Sequence, residues 1–340
     1  MNNMPKVTIV IPVYKVGKYI ENSMKSVIAQ RFTDFEVVLV DNNTPDDSIE
    51  IAERVLAGTN ISYRVVKQTI QGLPAARNKG IEEANGEWIV SIDPDDTISS
   101  YFLEELYNTA ISNNLEIVIS KYAEVTEKDL FCFPQETEQG KVELYEQKEI
   151  LPLLLTRKMP LMISNTFFKK DLFVRNGFQF DIRVKMGSDL VQMWDFLLSV
   201  PRMGFINKYL YNHFFRPDTI ITAPSAEKVI TNRDCYLRLR DRMVNKYGIN
   251  QQFADWVYAR AVFAAVGQSS MWGNFKIFNN VYKMVYDEEV YSILKTFPQK
   301  KLTFMNTIVH VSPRLFHFIN KTMRQQDTWI WKLLSKFIYR

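Results

Sequence analysis

Three hundred and forty residues make about two domains at roughly 150 residues each, which excludes a mini-protein stapled by disulfides or metal. Hydrophobic residues at 46% and charged residues at 24% match soluble globular chains and exclude a disordered or collagen-like one. The net charge is +4, but residues 290–340 hold nine Lys or Arg against Asp327 alone, so that segment is +8 and the remainder about −4. A basic tail on an acidic body predicts contact with an anionic surface, either membrane or nucleic acid.

Val7–Val13 (VTIVIPV) is an unbroken apolar, β-branched run, as expected of a strand buried on both faces of a parallel sheet. Between Lys18 and Gln30, Ile20, Met24, Val27 and Ile28 share one face of a predicted helix. Glu36–Val40 repeats the strand pattern. Thr44, Pro45 and the acids Asp46 and Asp47 then read as an N-cap, a first helical proline and a capping-box acid for a helix through Ile49–Leu56. Ile61–Val66, Glu87–Ile92 and Leu115–Ser120 are further predicted strands, with helices at Leu73–Ala84 and Tyr101–Ile111. This alternation predicts an α/β fold with a doubly wound, mostly parallel sheet, whose ligands sit beyond the carboxyl ends of the strands.

After about residue 122 the rhythm gives way to an acid-rich insertion reaching Gln147, then Ile150–Leu155, then mixed elements up to Phe215 and a loop at Arg216, Pro217 and Asp218. From Ala226 the chain reads as helical, with Asn232–Asn245, Phe253–Gly267 and Asn274–Tyr286 as candidate helices. We place the boundary near 222. A catalytic domain would span 1–222, split into halves at about 1–122 and 123–222, followed by a basic helical region at 223–340. Cys132 and Cys235 have neither CxxC nor paired spacing, so no disulfide framework or zinc knuckle is expected and the compartment is read as reducing. Met1–Lys6 lacks the features of a signal peptide, and a cytoplasmic location is expected.

Asp93, Asp95 and Asp96 fall within four residues after the fourth predicted strand. Such carboxylates repel one another unless a cation offsets them, and an all-oxygen set suits Mg²⁺ or Mn²⁺. The alternative is an Asx-rich turn leading into the next helix. Neither G-x-G-x-x-G nor a P-loop occurs, so a bound diphosphate would be neutralised by a divalent ion and basic side chains.

Val7–Tyr14, Asp41 with the NNTPDDS run that follows it, Gly72–Gly80 (GLPAARNKG) and Asp93-Pro94-Asp95-Asp96 resemble the successive motifs of family-2, inverting glycosyltransferases of GT-A fold. The likeness implies that Pro12 and Tyr14 line the nucleobase pocket, the Tyr14 ring lying on the base; packing on the next helix is the competing role for Tyr14. It implies that Asp41 accepts the imide N–H of uracil, against a part in the cap before Pro45. Arg77 would pair with phosphate or hold Asp93 or Asp95. Asp93 and Asp95 would be the two acids of the DXD motif, Asp93 towards the ribose and the metal and Asp95 as direct metal ligand, with Asp96 either a support behind them or an alternative ligand. The general base, by resemblance, is Asp189 in Met186-Gly187-Ser188-Asp189-Leu190, where Ser188 replaces the usual Glu; the competing role is an ordinary helix start. His213 and Arg216 fall where the family presents basic groups to the diphosphate; a histidine packed among the neighbouring aromatics is the competing role for His213.

The implied reaction is metal-dependent, inverting transfer from a UDP-sugar to a glycan or an undecaprenyl-pyrophosphate-linked acceptor, in surface polysaccharide synthesis. A sugar-nucleotide-binding protein with weak or absent turnover is the alternative. Nucleic-acid binding through the tail is the weakest reading, and no nucleic-acid partner is expected. His310 and His317 lie seven apart on a predicted helix without HExxH, so zinc catalysis is unsupported. Trp329–Arg340 reads as a basic amphipathic helix, too short to span a bilayer and suited either to the cytoplasmic membrane surface or to docking on the catalytic domain.

Overall fold

The computed structural model describes residues 4–134, 140–159, 161–184, 187–215 and 225–324. The chain divides into two units, one of 1–182 with 188–215 and the other of 183–187 with 216–340. The boundary expected at 222 lies outside the described residues, as do Arg216 and the tail from 325.

The first unit is built on nine strands: β1 (Val7–Val13), β2 (Phe35–Asp41), β3 (Ser62–Lys67), β4 (Trp88–Ser91), β5 (Thr97–Ile98), β6 (Ile117–Val125), β7 (Val142–Glu146), β8 (Thr166–Lys169) and β9 (Arg202–Phe214). Their helices are α1 (Ile20–Ile28), α2 (Ser48–Leu56), α3 (Leu73–Glu83), α4 (Phe102–Ser112), α5 (Gln147–Leu155), α6 (Lys170–Arg175) and α7 (Ser188–Leu198). The sheet runs β3-β2-β1-β4-β8-β6-β9-β5, with β7 beside β9. Its first four strands are mutually parallel, each joined by a crossover helix as the alternation predicts. Every residue of β1 is buried, which is why its sequence is apolar throughout rather than alternating.

One feature escaped the sequence reading. β8 inserts antiparallel between β4 and β6, and the Trp88 and Phe167 rings stack across that joint at 4.9 Å. β9 then pairs parallel with β6 through a bulge, and antiparallel with β7 and β5. Its far end therefore lies beside Thr97 and Ile98, just after the Asp93–Asp96 turn.

Helix α3 approaches β1 unusually closely, and Gly80 permits it. A Cβ on Gly80 would lie 2.1 Å from Val10 Cγ1 and 3.1 Å from Val40 Cγ2, inside van der Waals contact. Glu36 of β2 ties the other end of the sheet: its carboxylate accepts from Thr8 Oγ1 at 2.7 Å and the Asn85 amide at 2.7 Å, and pairs with Arg64. Burial pushes this carboxyl up, but those donors prevail and hold it below the usual range.

The second unit is helical: α8 (Ala226–Asn245), α9 (Gln251–Trp272), α10 (Phe275–Val285), α11 (Glu288–Lys295), α12 (Lys300–Val311) and α13 (Pro313–Arg324). Ser225, Asn250, Asn274 and Asp287 each cap a helix start through the side chain, supplying acceptors to otherwise unpaired amides. Helix α9 packs against α8, α10, α11 and α13. His310 and His317, expected on one helix, lie on α12 and α13, because Ser312 breaks the run and Pro313 opens a new helix. His317 stacks on Phe278 at 5.2 Å and meets Ser270 Oγ at 3.2 Å, so it is a packed histidine whose basicity burial lowers. No described helix is long and apolar enough to cross a membrane.

Candidate active site

The site forms where the parallel strands part. The β1–β4 ladder ends at Val10 opposite Ser91, while β1–β2 pairing continues to Val13 opposite Asp41. Val10 accepts from Ile92 N–H on the β4 side and Val13 from Asn42 N–H on the β2 side, so the buried Pro12 faces β4 where that partner has run out. A proline there forfeits no ladder bond. Beyond it, Tyr14 is 41% exposed, with the Lys15 ammonium 5.3 Å from the ring centroid. The ring is therefore available at the strand end rather than packed away.

Asp41 Oδ1 accepts the Thr44 N–H three residues on at 3.0 Å, so its carboxylate closes the turn before Pro45. Thr44 is not the cap expected of it. Helix α2 begins at Ser48, and Thr44 Oγ1 accepts from Lys15 N–H at 2.9 Å while donating to Asp46 at 2.6 Å. Asp46 also accepts from the Ser48 hydroxyl and the Gly17 amide. Burial raises the Asp46 carboxyl, but these donors outweigh it and leave it below the ordinary range. The turn is thus bound both to the β1 loop and to the first residue of its own helix.

Asn42, passed over in the sequence, is 2% exposed. It donates to the carbonyls of Gln68 and Ile70 at 3.0 and 2.7 Å and accepts from Gly72 N–H at 2.7 Å. This pins the loop that launches α3.

Arg77 on α3 is 2% exposed and its Nη2 lies 2.8 Å from Asp93 Oδ1. Of the two roles expected for it, the geometry is that of holding Asp93; a side chain this buried offers no open face to a phosphate. Its Nε is buried without a partner, and the guanidinium lies 5.9 Å from the Phe180 ring centroid. Ser164 Oγ donates to Asp93 Oδ2 at 3.0 Å, so both carboxylate oxygens are fixed while a quarter of the side chain stays exposed. Asp95 is half-buried.

Asp96 is a correction. It is fully buried and committed to β9, accepting from Tyr211 OH at 2.5 Å, His213 Nδ1 at 3.2 Å and Phe214 N–H at 2.8 Å. It has no face left for a cation, so it is not an alternative ligand. The repulsion within the acid cluster is relieved by Arg77 and His213. Burial disfavours the charged imidazole, but the Asp96 contact, with Asp93 and Asp95 nearby, raises His213 to about 9. His213 Nδ1 thus faces Asp96, whose own carboxyl is pushed up by burial. Tyr211 also accepts the Asp93 N–H at 3.4 Å, linking the two acids.

Asp189 lies in the first turn of α7, half-buried, and makes no hydrogen bond or ion pair among the described residues. Gly187 before it has φ +75°, a conformation natural to glycine. The structure brings Asp93, Arg77, Asp96 and His213 together, sets Tyr14 and Asp41 on adjacent strand ends, and leaves Asp189 on a separate helix start. Among the described residues no group of three or more His, Cys, Asp or Glu side chains forms a metal cage.

The mostly parallel sheet, with Asp41 ending β2 and a fixed Asp93 just beyond β4, is that of glycosyltransferases of GT-A fold. Residues 8–175 match Glycosyl transferase family 2, and the chain belongs to that family. It is 27% identical over 247 residues to the uncharacterized glycosyltransferase EpsJ of Bacillus subtilis, covering 72% of each chain. It is 27% identical over 252 residues to the cholesterol galactosyltransferase of Borreliella burgdorferi, covering 72% of this chain and 69% of that one. The crystal structure of Staphylococcus aureus TarS 1-349 in complex with UDP has a TM-score of 0.64 at 17% identity, over 95% of this chain and 92% of that one.

Proposed function

We propose that the protein is an inverting, metal-dependent glycosyltransferase that moves a sugar from a UDP-linked donor to a hydroxyl of a glycan or lipid-linked oligosaccharide, in surface polysaccharide synthesis at the cytoplasmic face of the membrane. The observation that carries the reading is the Asp93 carboxylate, locked by buried Arg77 and by Ser164 yet partly open at the end of β4. A carboxylate fixed at this point would hold a divalent cation, and a positive charge placed in advance is what a departing diphosphate requires.

Asp93 and Asp95 would hold Mg²⁺ or Mn²⁺. Two hard carboxylates without a third protein ligand fit a cation whose remaining positions are filled by diphosphate oxygens and water. Such an ion would neutralise charge developing on the diphosphate. The Tyr14 ring would lie on the base, with Pro12 behind it, and Asp41 would accept the uracil imide N–H. His213 and Arg216 would face the diphosphate, and Arg77 would keep Asp93 in place. Asp189 would take the proton from the acceptor hydroxyl as it attacks the anomeric carbon opposite the nucleotide. TarS has been crystallised with UDP, which supports the uridine donor, and the cholesterol galactosyltransferase supports an acceptor carried by lipid.

Ser188, where the resemblance calls for a second acid, favours a second reading: donor binding without transfer. A panel of nucleotide sugars, with Mn²⁺ or EDTA, separates the two. Turnover of UDP-sugars is expected, lost in EDTA and restored by Mn²⁺. Asp189→Ala should lower turnover by about 10²–10⁴-fold while UDP binding persists. Equal turnover by Asp189→Ala and the unaltered protein rules out this base; donor binding with no turnover selects the second reading.

A further inference from the structure

Two successive helices of the second unit expose large apolar side chains among cations. Along α12, Lys300, Phe304, Thr307 and Val311 recur at i, i+4, i+7 and i+11 and are all exposed, Phe304 at 60% and Val311 at 75%. The opposite side of the helix buries Met305 and Val309. Helix α13 divides in the same way. Phe316 and Ile319 are buried, while Arg314 is exposed beside Leu315 and Phe318, which are 49% and 54% exposed. Four large apolar side chains in water on two successive helices are not the ordinary scatter of single surface hydrophobes.

Charge on the two helices themselves has one sign; the nearest acid is Glu288 of α11, 3.8 Å from His310 on the half-buried side of α12. From Tyr291 to Gln326 there is no Asp or Glu, against Lys295, Lys300, Lys301, Arg314, Lys321 and Arg324. A second copy of this chain would bring like charges together, and the tail beyond 324 is itself net basic. RNA would satisfy the cations and stack its bases on Phe304 and Phe318, but it would leave Val311 and Leu315 in water. A bilayer containing acidic phospholipid satisfies both, taking Phe and Leu at the acyl boundary and the ammonium groups at the headgroup phosphates.

We propose that α12 and α13 are a docking surface for an anionic phospholipid membrane, with Phe304, Val311, Leu315 and Phe318 inserted and Lys300, Lys301 and Arg314 on the headgroups. The inference deepens the lipid-linked acceptor reading. Its physical readout needs no sugar transfer, so the two fail separately.

The test is co-flotation of the full chain with vesicles of phosphatidylcholine, alone or mixed with phosphatidylglycerol. Binding is expected only to the mixed vesicles, weakening as salt rises. Phe304→Glu with Phe318→Glu should weaken it at least about tenfold, and Lys300→Glu with Lys301→Glu should reduce it and flatten the salt dependence. Both variants alter exposed positions; an unchanged circular dichroism spectrum and UDP affinity would show that the fold is kept. Failure of the unaltered chain to bind, equal binding to both vesicle types, or full binding by the Phe variant would overturn the proposal. So would a sedimentation result in which the Phe variant dissociates a dimer, or preferential capture of short RNA over vesicles.

Discussion

Arg77→Met tests whether the grip on Asp93 is what organises the site. Methionine nearly fills the space of the arginine stem but removes the charge. Breaking one side of a buried ion pair costs about 3–5 kcal/mol. Two features of this pair reduce the figure. Asp93 keeps the Ser164 hydroxyl and is 25% exposed, and Arg77 already carries a buried, unpartnered Nε, a burden of about 1–3 kcal/mol that methionine abolishes. The net loss should be about 1–3 kcal/mol, lowering the thermal midpoint by about 2–4 °C per kcal/mol for a unit of this size. Because Asp93 would lose its orientation, kcat for UDP-sugar turnover should fall by about 10²-fold, with a smaller change in KM. In an Asp93→Asn background the same substitution should cost much less, with a coupling of about 1–2 kcal/mol. Equal costs in the two backgrounds would show that Arg77 acts through packing, and the reasoning would be refuted.

Gly80→Ala should destabilise by about 1–3 kcal/mol, read as a lower urea midpoint, because its methyl collides with Val10; Val10→Ala in addition should restore part of the loss. His213 has a folded-state pKa raised from 6.5 to about 9, so its contribution is complete below pH 6.5 and disappears as pH rises through about 9. The stability deficit of His213→Gln, followed by urea unfolding across that window, should be constant on the acid side and shrink on the basic side; a deficit that grows with pH would contradict the assignment.

Much of the parallel part of the sheet was legible because its signals are local. The apolar runs of β1 and β2 and the helical spacing of Ile20, Met24 and Val27 report burial directly. Thr44 misled because its hydroxyl meets the β1 loop, a contact no capping pattern records. Asp96 looked like its neighbours, yet its partner is 117 residues away, and Ser164 reaches Asp93 across 71. Such pairings depend on β8 and β9 entering the sheet, and their short segments carry no topological label. Asn42 was hidden for the same reason: its side chain serves the backbone of a loop 26–30 residues on.

Pro12 has an implication for altering this protein. A crevice between two parallel strands is always at risk of zipping shut, since one more residue of pairing satisfies two backbone groups. At Pro12 the amide hydrogen that such closure needs does not exist. The β1–β4 ladder therefore stops at this point by covalent structure. Efforts to change the preferred donor have freedom in the surrounding side chains, but restoring an N–H at this position would let the seam advance into the pocket.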